Sequence, residues 1–261
     1  MAAPVLHSDI LDTLGAEIAD GALARGDVLT LAGLERRFGV SRTVVREAMR
    51  ILESLGMVHA KRRVGLTVQP SNSWSLLDPQ VIAWRLAGSD RAQQLRSLTQ
   101  LRVALEPVAA RLAAGGDSDA GARLVPLAHR LRELGEAGQG ASEEYLEADI
   151  EFHSLLLSCG GNELFASLAG SVAEMLSGRT RLGMTPARPA ARPLHDHEGL
   201  AEAVAAGDPV AAEDHARSMV ESVWAEVAGT ASTGFAAPGA RAETGSADAS
   251  STEADRAETG R

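Results

Sequence analysis

Asp149 and His153 stand four residues apart in ADIEFHSLLLSC, and His197 follows in a separate segment, HEGLAEAVAAGD. On a helix, that spacing places two side chains on one face, one turn apart. A carboxylate and an imidazole so arranged suit a shared cation, with His197 as a third ligand from another helix. Imidazole nitrogens plus one carboxylate oxygen match zinc, nickel or a similar divalent metal. The same residues also fit a metal-free pocket in which the histidines act as hydrogen-bond donors. A second group is basic: Arg42 and Arg46 in GVSRTVVREAMRILESLG, then Lys61-Arg62-Arg63. Arginine pairs bidentately with guanine O6 and N7 in a DNA major groove. Ser41 and Thr43 carry hydroxyls that reach phosphates at a helix start, where the helix dipole also favours an anion. The plainer alternative is a small helical bundle with solvated arginines.

Helices must position these groups. Ile10, Leu14 and Ile18 recur at four-residue spacing and predict one helical face near Ser8–Leu23. Thr30 caps a second helix with the apolar stripe Leu31, Leu34 and Phe38, and Gly39 stops it. Ser41 caps a third, running to about Leu55, whose expected stripe is Val44, Ala48, Ile51 and Leu55. Arg42 and Arg46 each lie two residues from Val44, about 200° around the axis, and so project away from it. Met57-Val58, the basic tip Lys61-Arg62-Arg63 and Val64–Val68 then form two short strands around a turn, a wing. Two helices joined by a tight Gly-Val turn, with arginines facing out of the second, suit DNA. Gly65 at the wing tip is expected to leave room for a DNA backbone. Further on, a helix is expected from about Ser142 to Leu157, and Asn162 caps the next.

The chain of 261 residues carries a net charge of −10 that is unevenly spread. From Gly21 to Pro70 it is +5, which leaves −15 for the remainder. A basic module on an acidic body predicts a polyanion partner for the first and another partner for the second. One cysteine, Cys159, excludes an internal disulfide framework and a cysteine-cluster zinc site. No apolar run is long enough to span a bilayer and no signal pattern opens the chain, so a cytoplasmic protein without membrane contact is expected. The organisation reads as a winged helix-turn-helix module over residues 1–70 and a linker over 71–78, within the polar stretch QPSNSWS. An all-helical bundle follows over 79–228, and then a tail over 229–261 too poor in apolar residues to fold. The fold class is therefore mainly α.

The run RFGVSRTVVREAMRILESLGMV, with GDVLT before it and RRVGLTVQP after it, resembles the DNA-binding domain of GntR-type transcription regulators. SWSLLDPQVIAWRL is similar to the junction segment of sugar-acid-responsive members of the FadR subfamily. LRVALEPVAARLAA, ADIEFHSLLLSCGGN and HEGLAEAVAAGD resemble landmarks of that subfamily's all-helical effector domain, the FCD type. The resemblance implies a homodimeric repressor that binds operator DNA and is released by a small carboxylic acid such as an aldonate (galactonate or gluconate). It implies base or phosphate reading by Arg42 and Arg46, a wing around Lys61–Gly65 with Arg62 on phosphate, and an arginine near the ligand pocket at Arg102. A guanidinium suits bidentate capture of a carboxylate, while a salt bridge to Glu106, one turn on, is the competing role. Metal-binding members use an aspartate and a histidine at Asp149 and His153. Their fourth ligand, a histidine, is replaced here by Met219; His215, one turn earlier, is a further candidate. The chain also departs from the pattern in its second helix, where Leu31, Ala32 and Gly33 replace a Glu-Arg pair that helps bind DNA, with Arg36 and Arg37 one turn later.

Other classes fit less well. A metal-dependent hydrolase with a DNA-binding appendage would use Asp149, His153 and His197, yet no general base or Gly-x-Ser-x-Gly nucleophile motif accompanies them. A nucleoid-coating protein would be repelled from DNA by the −15 outside the basic module.

Overall fold

The structure, a computed structural model, describes residues 3–61, 64–116 and 119–232. Helix α1 (Ala3–Ala19) buries Ile10, Leu14 and Ile18, the expected stripe, together with Leu11. It ends before the expected Leu23, because the chain turns through Gly21 at φ +80°. Helix α2 (Leu31–Phe38) is capped as expected: Thr30 accepts from the Gly33 amide, and Gly39 closes it in the left-handed region. Helix α3 (Arg42–Ser54) departs from the expected stripe. It buries Val45, Ala48, Met49 and Leu52, and leaves Val44 and Ile51 half-buried. Apolar residues at 44–45, 48–49 and 51–52 offer two overlapping faces, and packing on α1 selects the one through Val45 and Leu52. Ser41 holds the cap position of α3 but makes no side-chain capping bond.

The wing has a strand that sequence periodicity does not reveal. Strands β2 (Val58–Lys61) and β3 (Gly65–Val68) pair antiparallel as expected. A two-residue strand, β1 (Val28–Leu29), joins the other edge of β3, giving the order β1-β3-β2. Gly65 is required from inside the protein. Its φ is +128°, and a Cβ there would lie 2.6 Å from the Leu29 carbonyl oxygen. This requirement is internal to the wing and stands apart from the expected room for a DNA backbone.

The polar stretch after the wing is strapped down rather than slack. Gln69 N donates to Met57 O, Ser75 N to Leu55 O and the Trp74 indole to Gln69 O, with a single 3-10 turn at Ser71–Ser73 between them. Gly56 (φ +72°) allows the strap to close, since a Cβ there would meet the Ser73 carbonyl oxygen at 2.1 Å.

Helix α4 (Pro79–Ala87) has two packed faces. Val81 and Trp84 complete the winged-domain core with α1 and α3, and Ile82 and Leu86 join Leu95, Leu98 and Met175. The bundle comprises α5 (Arg91–Gly115), α6 (Ala120–Glu136), α7 (Glu143–Cys159), α8 (Glu163–Ser167), α9 (Ala169–Arg181), α10 (Ala191–Ala206) and α11 (Pro209–Ser232). Ser142 caps α7 through the Tyr145 amide, and Asn162 caps α8 through Leu164 N and Phe165 N. The bundle core runs from Leu124 and Leu131 through Phe152 and Leu156 to Leu200 and Val220, each essentially without exposure. Helix α11 continues to Ser232, past the expected start of the tail; residues 233–261 lie outside the described residues.

Candidate functional site

Two regions carry the candidate residues. The first is an open groove of about 620 Å³ between α3 and the wing, lined by Arg42, Arg46, Arg50, Lys61 and Gly65 among others. Arg42, Thr43, Arg46 and Lys61 are exposed, and so is Ser41, whose hydroxyl is not spent on the helix end. Arg42 Nε lies 3.8 Å from Glu35 of α2, an exposed pair worth little in water. Arg62 lies outside the described residues. Arg50, one turn beyond Arg46, shares this face although the sequence reading gave it no role. The four-residue spacing of 42, 46 and 50 was the signal for it.

The second region lies inside the bundle, where α5, α7, α9, α10 and α11 enclose a cavity of about 70 Å³. Asp149, His153 and His197 meet there, with one ligand atom from each within 4.8 Å of the others. Asp149 Oδ1 is 3.4 Å from His153 Nε2 and 3.5 Å from His197 Nε2. Donors about 2.0–2.1 Å from a tetrahedral ion stand about 3.3–3.4 Å apart, so two edges of the site are already at cation spacing. His197 Nδ1 is 2.7 Å from the Pro193 carbonyl oxygen, which only accepts, so Nδ1 carries the proton. The lone pair of the neutral ring is then on Nε2, which is buried with no hydrogen-bond partner among the described residues. An orphaned imidazole nitrogen facing a carboxylate is what a cation ligand requires. Phe152 packs edge-on against both imidazoles and fixes their planes.

Glu106 is the member that sequence reasoning undervalued. It is fully buried on α5, and its Oε2 is 3.1 Å from His153 Nδ1, the outer-shell contact that orients a ligating histidine. Arg102 makes the competing salt bridge with it, Nε to Oε1 at 2.5 Å and Nη2 to Oε2 at 3.2 Å, yet Arg102 also lines the cavity. Arg102 thus makes the salt bridge and faces the cavity at once. Burial alone would raise the Glu106 carboxyl, but Arg102 and His153 hold it down at about 2. Asp149 is likewise held well below the usual carboxylate range: burial opposes, and the two imidazoles beside it, His153 and His197, prevail. Burial disfavours a charged His153, but the Glu106 charge outweighs it and raises the imidazole. Tyr145 and Arg179 also line the cavity, and burial, then the Asp149 charge, push the Tyr145 hydroxyl upward so that it stays protonated. Neither residue was found from sequence. The run of prolines in MTPARPAARP, whose Pro186, Pro189 and Pro193 form one wall, was the available signal.

His215 does not join the cluster. Its Nδ1 is 3.3 Å from Asp196 Oδ1, and its ring lies on Gly199, where a Cβ would come within 2.4 Å. The one-turn offset from Met219 turns it to a different neighbour, and Met219 itself lines the cavity.

Comparison with known proteins matches residues 6–68 to the bacterial regulatory proteins of the gntR family and residues 97–222 to the FCD domain. The galactonate operon transcriptional repressor of Escherichia coli K12 is 30% identical over 217 residues, covering 82% of this chain and 93% of the relative. The chain belongs to the gntR family. Bacillus subtilis LutR, an HTH-type transcriptional regulator, is 29% identical over 202 residues, 75% of this chain and 89% of LutR. The solved structure of Lar from Listeria monocytogenes shares the fold, with a TM-score of 0.54 at 19% identity, over 85% of this chain and 96% of Lar. This gntR-family chain is a transcription regulator, not an enzyme, and the hydrolase reading of the Asp149, His153 and His197 set falls with that. No helix among the described residues is long and apolar enough to cross a membrane.

Proposed function

We propose that this regulator is a homodimeric, cytoplasmic repressor of genes for using a sugar acid, released from operator DNA when the acid enters the effector-domain cavity. The observation that carries the reading is the meeting of Arg102 with Asp149, His153 and His197 around one enclosed space. A guanidinium and a cation site facing a small cavity suit a carboxylate. The galactonate operon repressor, at 30% identity, supports an aldonate as its class.

Zinc or nickel fits the donor set, with Asp149, His153 and His197 as ligands and Glu106 orienting His153. Such an ion supplies a Lewis-acidic position for a carboxylate oxygen. Arg102 neutralises the acid's charge, and the apolar walls from Leu176, Met219 and Val223 exclude water around it. At the other end, Arg42 and Arg46 read bases. Ser41, Thr43, Lys61 and Arg62 contact phosphates, and Gly65 keeps the wing tip slim. Two copies are required because one recognition helix reads too few base pairs for an operator.

The test is a thermal-shift screen of sugar acids, galactonate and gluconate first, with and without zinc, followed by operator gel shifts. Stabilisation by an acid that also releases operator supports the reading. An acid that stabilises the protein while operator affinity stays constant would overturn it.

A further inference from the structure

An acid sits in the basic groove between α3 and the wing. Arg42, Arg46, Arg50 and Lys61 line that groove, and so does Glu53, in the last turn of α3. Two local preferences oppose a carboxylate there. The last turn of a helix carries the negative end of its dipole, and a negative charge facing a phosphate backbone repels it. Glu53 is nevertheless not a solvated bystander, because its Oε1 accepts from the Ala60 amide of β2 at 2.8 Å. In the order β1-β3-β2, strand β2 has a neighbour on one side, and the Ala60 amide donates away from it. Among the described residues, this is the one hydrogen bond from an α3 side chain to a wing strand.

The root of the wing needs no such tie. Val58 is buried in the winged-domain core, and Met57 N donates to Leu52 O at 3.0 Å. From His59 to Lys61 the strand is exposed, so burial does not set its distance from α3. His59 Nδ1 lies 3.8 Å from the same Glu53 oxygen, an exposed pair that adds little. We propose that Glu53 is a positioning residue for DNA binding: it fixes the wing against α3, so that Lys61 meets phosphates in step with Arg42 and Arg46 on the bases. A wing fixed before DNA arrives need not be ordered on binding, which raises affinity. The bond contributes little to folding, because water can take the amide of an exposed strand edge. The angle of the wing depends on it, and the fold does not.

This inference rests on the reading, proposed above, that α3 and the wing face DNA. The probe is a duplex that the wild-type protein selects from a random-sequence pool. It is titrated with the full-length Glu53→Ala, Glu53→Gln and Arg46→Ala proteins. Glu53→Ala removes the charge and the acceptor together. Relief of repulsion alone would tighten binding, whereas loss of the tie is expected to lower affinity about fivefold or more. Glu53→Gln drops the charge but keeps an oxygen that accepts from Ala60 N, so its affinity is expected to match or exceed wild type. Both Glu53 variants are expected to unfold at the wild-type temperature, as surface substitutions generally do. Exchange of the Ala60 amide is expected to quicken in Glu53→Ala and not in Glu53→Gln. Glu53→Ala binding as tightly as wild type or tighter, or equal losses in the two Glu53 variants, overturns the positioning role. If Arg46→Ala binds weakly in that same titration, the DNA-facing reading stands. Arg46→Ala binding like wild type removes that reading and this inference with it.

Discussion

Replacing Glu106 with Gln removes one charge from the centre of the bundle at almost constant volume. The carboxylate accepts from Arg102 Nε, Arg102 Nη2 and His153 Nδ1 with no exposure to solvent. An amide in its place turns a donor toward one of those donors and leaves Arg102 buried without its counter-charge. The magnitude follows from the carboxyl's displacement from an ordinary 4.5 to about 2, which corresponds to about 3 kcal/mol. Because the folded-state value is lowered, this stabilisation is fully present above about pH 4.5 and is lost as pH falls through about 2. Urea unfolding of wild type and Glu106→Gln, followed by circular dichroism, should show a gap of about 3 kcal/mol at pH 7 that shrinks to under about 1 kcal/mol near pH 2.5. Asp149 is lowered as well, but it is present in both proteins and cancels in the difference. A gap that stays constant across that range would refute the assignment of Glu106 as the ionised partner of Arg102.

Arg46→Ala should cost about 1–3 kcal/mol on operator and far less on random DNA; equal losses on both would show that Arg46 reads no base. Gly65→Ala forces a side chain onto the Leu29 carbonyl at φ +128°, so the wing should lose about 1–3 kcal/mol. Amide exchange in β1 and β3 measures that loss, and protection equal to wild type would sink it. Met219→His adds a third nitrogen, and so a fourth ligand, beside the cluster and should tighten zinc binding about tenfold or more in a chelator competition; unchanged affinity would mean that position 219 does not reach the cation.

The sequence made the winged domain legible because its signals are local. A cap at Thr30, a stop at Gly39 and basic residues at 42 and 46 each act within a few residues, and each is where the chain's own chemistry requires. The exact face of α3 was not legible, because Val44-Val45 and Ile51-Leu52 give two stripes that only the partner helix α1 distinguishes. Strand β1 escaped for a related reason: two residues have no periodicity, and only pairing with β3 makes them a strand. In the effector domain, the Asp149 and His153 spacing announced a shared face on α7. The second layer, Glu106 on His153 and His197 on the Pro193 carbonyl, depends on how α5 and α10 meet α7, which spacing within one helix does not encode. His215 shows the converse. On spacing alone it is one turn from the cavity, but Asp196 and the bare backbone at Gly199 give it a different seat.

The link between the two regions is a pair of notches rather than a hinge. Trp84 on α4 lies over Gly15 of α1, where any Cβ would come within 2.5 Å of the indole, and its N–H donates to Asp12. Asp20, at the end of α1, accepts from Ser89 N just beyond α4. The opposite face of α4 puts Leu86 over Gly178 of α9, again where a Cβ would overlap, and Ser171 Oγ donates to the Leu77 carbonyl. The residue after Gly178 is Arg179, which lines the effector cavity. Under the proposed release, an acid that drew Arg179 inward would displace α9 at the point where α4 is seated. Helix α4 cannot take up that movement alone, because its other face is locked into the winged-domain core by Val81 and Trp84. The strap over residues 69–75 is bonded to the winged domain at both ends and offers no slack between them. Packed interfaces of this kind shift between discrete arrangements rather than deform. Effector binding can change the separation of two recognition helices in a dimer only through such a shift, and only by the difference in its affinity for the two arrangements. For typical couplings of about 1–3 kcal/mol, the proposed release would weaken operator binding about 5- to 150-fold. Leu86 on Gly178 and Trp84 on Gly15 are contacts that such a shift would have to repack.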